Sequence, residues 1–165
     1  MKPEVVQYAK ERYQEEQQRF DHIESKCGRL MTFVTMLITI ITGFFAFFES
    51  AIFNPVGLLG WAILVVSILA VFTLIVSWGH ALLSLKIGTV NVAPRKQENI
   101  DYMLKSEPDL MFEHMIKCYM DPIKKLAPKI DEKALYLRHA YNELAIAGFL
   151  LSGLLVLSLI RGFVE

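Results

Sequence analysis

The chain has 165 residues, with 17 lysines and arginines balanced by 17 aspartates and glutamates. A formal net charge of zero excludes any inference from total charge about an acidic or a basic partner. Hydrophobic residues make up 54% of the sequence, and they are concentrated in three blocks instead of being spread as in a soluble globular protein. The composition therefore predicts a membrane protein.

The three apolar blocks are each about as long as the roughly 20 helical residues that cross the hydrocarbon core of a bilayer. Residues 1–29 are too densely charged for a secretory signal peptide, so we expect the first block to remain as an anchor. The predicted fold is an all-α membrane protein with three transmembrane helices, assembled as a homo-oligomer. Its segments are a cytoplasmic amphipathic helix continuous with the first span (residues 1–29), the first span (30–48), the second span (58–85), a cytoplasmic helical segment (86–143) and the third span (144–160).

Lysine and arginine are unevenly distributed between the segments that flank the spans. Six of the 17 precede the first span, ten lie between Lys86 and Arg138, and none lies in the short connection at residues 50–57. Because cytoplasmic loops carry the excess of these residues, the amino terminus and the middle segment are expected in the cytoplasm and the carboxyl terminus outside. The predicted location is the bacterial inner membrane.

The first predicted helix runs from about Pro3 to Phe48, because residues 5–27 contain neither glycine nor proline and Gly28 alone is a weak break. Its apolar residues follow alternating steps of three and four, which is the spacing of one helical face. This apolar seam must be buried, either against the rest of the chain or against other copies of the helix. The apolar seam consists of Val6, Ala9, Tyr13, Phe20, Ile23, Cys27, Leu30, Val34, Leu37 and Ile41.

A second stripe on the same helix contains only polar or small residues, from Glu11 to Glu49. If several copies of the helix surround an axis, this stripe would line a hydrophilic path, with a ring of carboxylates at its outer end. The predicted pore-lining residues are Thr32, Thr35, Thr39, Thr42 and Glu49.

The alternative is that these threonines serve only in helix packing. A threonine hydroxyl in a membrane helix commonly bonds a carbonyl of its own preceding turn or a neighbouring helix, with a contribution of roughly 0.6 kcal/mol. Packing is the more frequent role of a single threonine. For four threonines in register with a longer polar stripe, both interpretations stay open.

Small residues form one face in each of the other two spans, and such faces permit helices to approach closely. His80, near the inner end of the second span, could sense pH, although a histidine there is more often satisfied by a neighbouring group. The small residues are Ser67, Ala70, Thr73, Ser77 and Ser84 in the second span, and Ala145, Gly148 and Ser152 in the third.

Prolines divide the segment between the second and third spans. A helix is expected to start near Pro108 and to end at Asp121, before Pro122, and a separate last helix is expected to begin at Asp131. The segment is too small to fold as an independent domain, so it should pack on the first helix.

Three groups of basic residues in this segment, with tyrosines interleaved, could bind the phosphates and bases of a nucleotide. The alternative is that they are ordinary cytoplasmic charges facing lipid headgroups. Lys133 and His139 belong to the third group. The predicted ligand-binding residues are Arg95, Lys96, Lys124, Lys125, Lys129 and Arg138.

Catalytic and metal-binding motifs are missing from the sequence. It has no glycine-rich phosphate loop and no nucleophile elbow, its four histidines are scattered, and its two cysteines stand in isolated contexts. We therefore expect a protein that is not an enzyme and that has no cofactor, no metal site and no disulfide framework.

Two stretches resemble a known class of proteins. One is the approach to the first span, "FDHIESKCGRLMTFVTMLITII", which contains D-x-x-x-x-K-x-x-x-L, and the other is "KALYLRHAYNELAIAGFLLSGLLVL". They resemble the small transmembrane effectors of bacterial nucleotide-signalling antiphage systems. The Pycsar transmembrane effectors are the most similar pattern, and SLATT-type and Hailong effectors are broader relatives. The chain differs from that pattern at Cys27 and Gly28 and lacks its aromatic-glycine loop motif.

The resemblance implies an inner-membrane effector that works with a nucleotidyltransferase and damages membrane integrity when a nucleotide or oligonucleotide signal changes. Together with the polar stripe, it leads us to expect a homo-oligomeric, ligand-gated channel of three to five copies, with four favoured. A non-conducting membrane adaptor that docks a cytoplasmic partner is the main alternative. An enzyme acting on lipid is a distant third, because the sequence offers no nucleophile or metal set.

Overall fold

A computed structural model describes residues 3–47, 55–87, 101–102 and 105–164 of the chain. Three long helices contain almost all of these residues: α1 (Pro3–Phe47), α2 (Gly57–Lys86) and α3 (Pro108–Val164). All three are long and apolar enough to cross a membrane. The chain is therefore a helical membrane protein with three candidate transmembrane helices, as its composition predicts.

The helix α1 is uninterrupted, as the sequence predicts, and the apolar seam is its inward face. Ala9, Cys27 and Val34 are buried, and every other residue of the seam is buried or half-buried. The residues of the polar stripe are exposed, apart from the half-buried Gly28, wherever the structure describes them. Gly28 does not end the helix because a glycine costs only about 1 kcal/mol relative to alanine, less than the burial of one aliphatic side chain contributes.

The chain divides into two compact units. The polar unit contains Met1–Ser25 and Lys86–Ala134, and the apolar unit contains Lys26–Leu85 and Leu135–Glu165. Both α1 and α3 continue from one unit into the other without a break.

In the polar unit, the beginning of α1 packs against the first half of α3. The ring centroids of Tyr13 and Tyr119 are 5.9 Å apart, and Leu126 and Ile130 on α3 are fully buried. The prediction that the middle segment packs on the first helix is confirmed for the part of that segment that belongs to α3.

The predicted helix end before Pro122 and the new helix start at Asp131 are wrong. The helix α3 begins at Pro108, as predicted, but continues to Val164 with Pro122 and Pro128 inside it. A proline inside a helix costs about 3 kcal/mol because it removes one backbone hydrogen bond and crowds the preceding turn. Pro122 is followed at steps of four by the buried Leu126 and Ile130. Their burial contributes about 1.5–3 kcal/mol each, so a continuous helix retains packing that a break would lose.

In the apolar unit, α2 contacts both of the other helices along one narrow face. The Sγ atom of Cys27 on α1 lies 3.0 Å from Oγ of Ser84, and Ser77 Oγ donates a 2.8 Å hydrogen bond to the carbonyl of Ala140 on α3. The buried residues of α2 alternate steps of three and four, and they include the predicted small-residue face of the second span, apart from the half-buried Thr73. They are Gly60, Ile63, Ser67, Ala70, Leu74, Ser77, Ala81 and Ser84.

The small-residue face predicted for the third span does not mediate packing within the chain. Ala145, Gly148 and Ser152 are exposed, whereas Ala140 and Ala147 are fully buried. The reason is helical phase, since two residues turn the helix by about 200° and place Ala145 on the far side from Ala147. Within one chain, small residues therefore indicate contact on α2 but not on α3.

Candidate functional sites

The four predicted pore-lining threonines lie on one exposed face of α1. Each hydroxyl donates a hydrogen bond to the carbonyl four residues earlier in the same helix. The distances from Oγ1 to the carbonyl oxygen are 3.0 Å for Thr32 to Gly28, 2.8 Å for Thr35 to Met31, 2.9 Å for Thr39 to Thr35 and 2.8 Å for Thr42 to Ile38. Glu49, the fifth predicted residue, lies outside the described residues.

These local bonds determine what the threonine face can contact. Because each hydroxyl hydrogen is used inside the helix, the face presents no unsatisfied donor to an apolar neighbour. Each hydroxyl oxygen still has acceptor capacity for water. The threonine face can therefore pack against an apolar neighbour without water, and it can also be in contact with water.

The exposed surface of α1 between residues 30 and 46 is segregated into two sides. Large apolar side chains occupy one side of the apolar seam, and the threonines occupy the other, as follows from about 100° of rotation per residue. The exposed apolar residues are Phe33, Met36, Ile40 and Phe44. A lipid-facing helix needs no such division, so the threonine side is the candidate for contact with water or with another copy.

The predicted ligand-binding residues do not form one group in the described part of the chain. Arg95 and Lys96 lie outside it. Lys125 and Lys129 are one turn apart on α3, with Lys125 exposed and Lys129 half-buried, whereas the exposed Lys124 is about 100° around the helix from Lys125. Arg138 is exposed and belongs to the apolar unit instead. Their role in ligand binding stays a prediction.

The sequence placed Lys133 in the third basic group, available to a nucleotide phosphate or a lipid headgroup, and the structure corrects this. Its side chain is only 2% exposed, and its Nζ atom lies 3.5 Å from Oε2 of Glu24 and 4.0 Å from the ring centroid of Phe20. Lys133 is thus an internal residue of the polar unit that holds α3 against α1. Lys133 is separated from Leu126, Ile130 and Leu137 by steps of seven, three and four, so it lies on the same helical face as these buried residues. This spacing could have indicated from the sequence that Lys133 is buried.

The expectation that a neighbour would satisfy His80 also fails. Its Nδ1 atom is buried and has no hydrogen-bond partner in the described part of the structure. Instead, its ring stands beside two rings of α3, those of Tyr136 and His139.

An apolar cavity of about 340 Å³ is present in the apolar unit, lined by side chains that include Phe45, Phe72 and Ile75. Among the described lining residues, the one hydroxyl is that of Ser67, which already donates to the carbonyl of Ile63. None of these described lining residues is basic. This part of the lining suits hydrocarbon and does not suit a phosphate.

Within the described residues, no group of three or more His, Cys, Asp or Glu side chains could hold a metal ion. Comparisons of the chain with models of protein families, with curated proteins and with solved structures found no match.

Proposed function

We propose that copies of this chain assemble around α1 into an ion-conducting pore that disrupts the bacterial inner membrane under the control of a nucleotide or oligonucleotide signal. The observation that carries the proposal is the segregated surface of α1. Within residues 30–46, one exposed side carries large apolar side chains, as contact with lipid requires, and the other carries Thr32, Thr35, Thr39 and Thr42, whose hydroxyls are bonded to carbonyls of the same helix.

The threonine face supports conduction for an energetic reason. A charged residue at the centre of a membrane helix costs about 2.5 kcal/mol or more, whereas a threonine bonded to its own helix inserts without an unsatisfied donor. When water enters the axis of an assembly, the hydroxyl oxygens provide acceptors along the path. The same threonines could therefore line the pore both in a closed state without water and in an open state filled with water.

The part of the proposal that concerns defence signalling has separate support. It comes from the resemblance of both membrane-flanking stretches to transmembrane effectors of nucleotide-signalling antiphage systems, and from the exposed cations Lys124, Lys125 and Arg138. Gating requires only that the ligand bind two arrangements of the protein with different affinity.

The test is single-channel recording in planar bilayers with purified full-length protein. Replacing Thr35 and Thr39 together with leucine is expected to abolish discrete openings, because leucine removes the hydroxyls and narrows the path. The matched control replaces both residues with serine, which keeps the hydroxyls, and should retain currents. Unchanged currents in an assembled leucine variant would refute the pore.

A non-conducting adaptor is the second candidate, and one observation favours it. All four threonine hydroxyls are already bonded within α1, so the face can pack against a protein partner without water. Toxicity on overexpression separates the two functions. A pore should be toxic, with toxicity relieved by the leucine variant and retained by the serine variant.

The proposed orientation can be tested through Cys118. Burial raises the pKa of its thiol, and the negative charge of Asp121 raises it further. We expect a Cys27→Ser variant, in which Cys118 is the remaining thiol, to react with a membrane-impermeant maleimide in inverted vesicles and to be protected in intact spheroplasts. The reaction should accelerate as pH rises above neutral, because the raised pKa keeps most of the thiol protonated at neutral pH.

Cys27 supplies the control for this labelling experiment. It is fully buried against Ser84, so a Cys118→Ser variant should be labelled only after denaturation. Labelling of Cys118 in intact spheroplasts would contradict the orientation.

A further inference from the structure

Two histidines from different helices have neighbouring rings in the apolar unit. The ring centroids of His80 on α2 and His139 on α3 are 5.6 Å apart, with an angle of 37° between the ring planes. Tyr136, which precedes His139 by one turn, places its ring centroid 6.5 Å from that of His80. These rings come together because α2 and α3 pack closely here, where Ser77 bonds to Ala140.

The Nδ1 atom of His80 is an exception to the usual pairing of buried polar groups. It is buried without a hydrogen-bond partner among the described residues, and leaving such an atom unpaired is unfavourable because its desolvation is not compensated. Buried polar atoms that lack a partner commonly mark an unobserved water or ion. The position of His139 opposite this ring supplies a second nitrogen base.

We propose that His80 and His139 together bind a divalent transition-metal ion of the kind that imidazole prefers, such as Zn²⁺, Co²⁺ or Ni²⁺. Metal–nitrogen distances of about 2.0–2.1 Å place the ring centroids of two imidazoles on one ion roughly 5–6 Å apart. The observed separation of 5.6 Å lies in this range. An ion at this position would use the nitrogen of His80 that is otherwise unpaired.

The surroundings of the pair are suited to such an ion. His139 is exposed, so the ion can enter from solvent and complete its coordination with water. Glu143 lies one turn beyond His139 on the same side of α3 and contributes a negative charge. By contrast, the unpaired Nε2 of His114 stands beside Tyr102 and has no imidazole opposite it among its ring contacts.

A bound ion would tie α2 to α3 at the end of the second span that His80 occupies. It would stabilise the folded apolar unit, because it binds the folded chain and has no preformed site in the unfolded one. This inference does not depend on the proposed pore, since its readouts are metal binding and thermal unfolding and neither requires conductance.

The test uses full-length protein in detergent, with any affinity tag removed. Titration with Co²⁺ should shift its visible absorption away from that of hydrated Co²⁺, and added Zn²⁺ should reverse the shift by competition. Zn²⁺ should also raise the unfolding temperature. His80→Gln and His139→Gln should each weaken binding by at least about tenfold, whereas His22→Gln and His114→Gln should bind as the unsubstituted protein does.

The exposed His139 keeps the test decisive even if a change at the half-buried His80 were to disturb folding. Circular dichroism of His139→Gln should match that of the unsubstituted chain while the shift in cobalt absorption is lost. The proposal is overturned if the unsubstituted protein gives only the spectrum of hydrated Co²⁺, or if the double variant His80→Gln, His139→Gln retains the shift.

Discussion

Replacing Lys133 with glutamate is expected to destabilise the polar unit by about 3–5 kcal/mol, the range found when a buried charge is left without a partner. The side chain of Lys133 is 2% exposed and lies between Glu24 and the ring of Phe20. A carboxylate at this position would be buried next to another carboxylate and against the negative face of an aromatic ring. Thermal unfolding of the purified protein in detergent measures the effect.

Two control substitutions distinguish the effect of the introduced charge from the effect of burial at position 133. Lys133→Met keeps the length of the side chain and removes the charge, and we expect it to change stability by less than about 1.5 kcal/mol, because apolar replacements of buried ions are commonly tolerated. Glu24 is 52% exposed, so water can solvate it when the ammonium is gone. Lys125→Glu changes the same charge at an exposed position of α3 and should stay within about 0.5 kcal/mol. Equal effects at positions 125 and 133 would contradict the internal role of Lys133.

Replacing Ala140 with leucine is expected to separate α3 from α2 in the apolar unit. Ala140 is fully buried, and its carbonyl accepts the hydrogen bond of Ser77. A leucine side chain has no space there, and overpacking of this kind costs about 1–3 kcal/mol. Loss of the interhelical hydrogen bond adds about 0.6 kcal/mol. The unfolding temperature should fall, and an engineered crosslink between the two helices should form less efficiently.

Ala145→Leu is the matched control on the same helix. Ala145 is exposed within the chain, so the longer side chain should leave the contact between α2 and α3 intact and should not lower the unfolding temperature. If Ala145→Leu were as destabilising as Ala140→Leu, the helical phase described for α3 would be incorrect.

The sequence predicted the features that depend on local spacing. The apolar seam of α1 and the small-residue face of α2 follow helical periodicity, and burial within one chain is sufficient to explain both. The exposure of Thr32, Thr35, Thr39 and Thr42 follows from the same geometry, because they lie away from the seam. Their bonds to carbonyls four residues earlier agree with the known local preference of threonine in helices.

The features that depend on a partner element were not predictable in the same way. The continuation of α3 through Pro122 depends on what the following residues bury, and the local rule for proline does not contain that information. The burial of Lys133 requires Phe20 and Glu24, which lie more than a hundred residues earlier in the chain. His80 and His139 are likewise distant in sequence, so their proximity emerges only when α2 packs on α3.

The buried face of α2 also bears on the entropy of assembling the helices. Six of its eight buried residues are glycine, alanine or serine, whose side chains have few or no rotamers to lose. When such a face packs against other helices inside a bilayer, there is no hydrophobic driving force for the association. The loss of side-chain entropy is also small. The association of α1 and α3 with α2 therefore depends on close backbone approach and on hydrogen bonds such as that from Ser77, and the three helices can come together with little loss of conformational freedom.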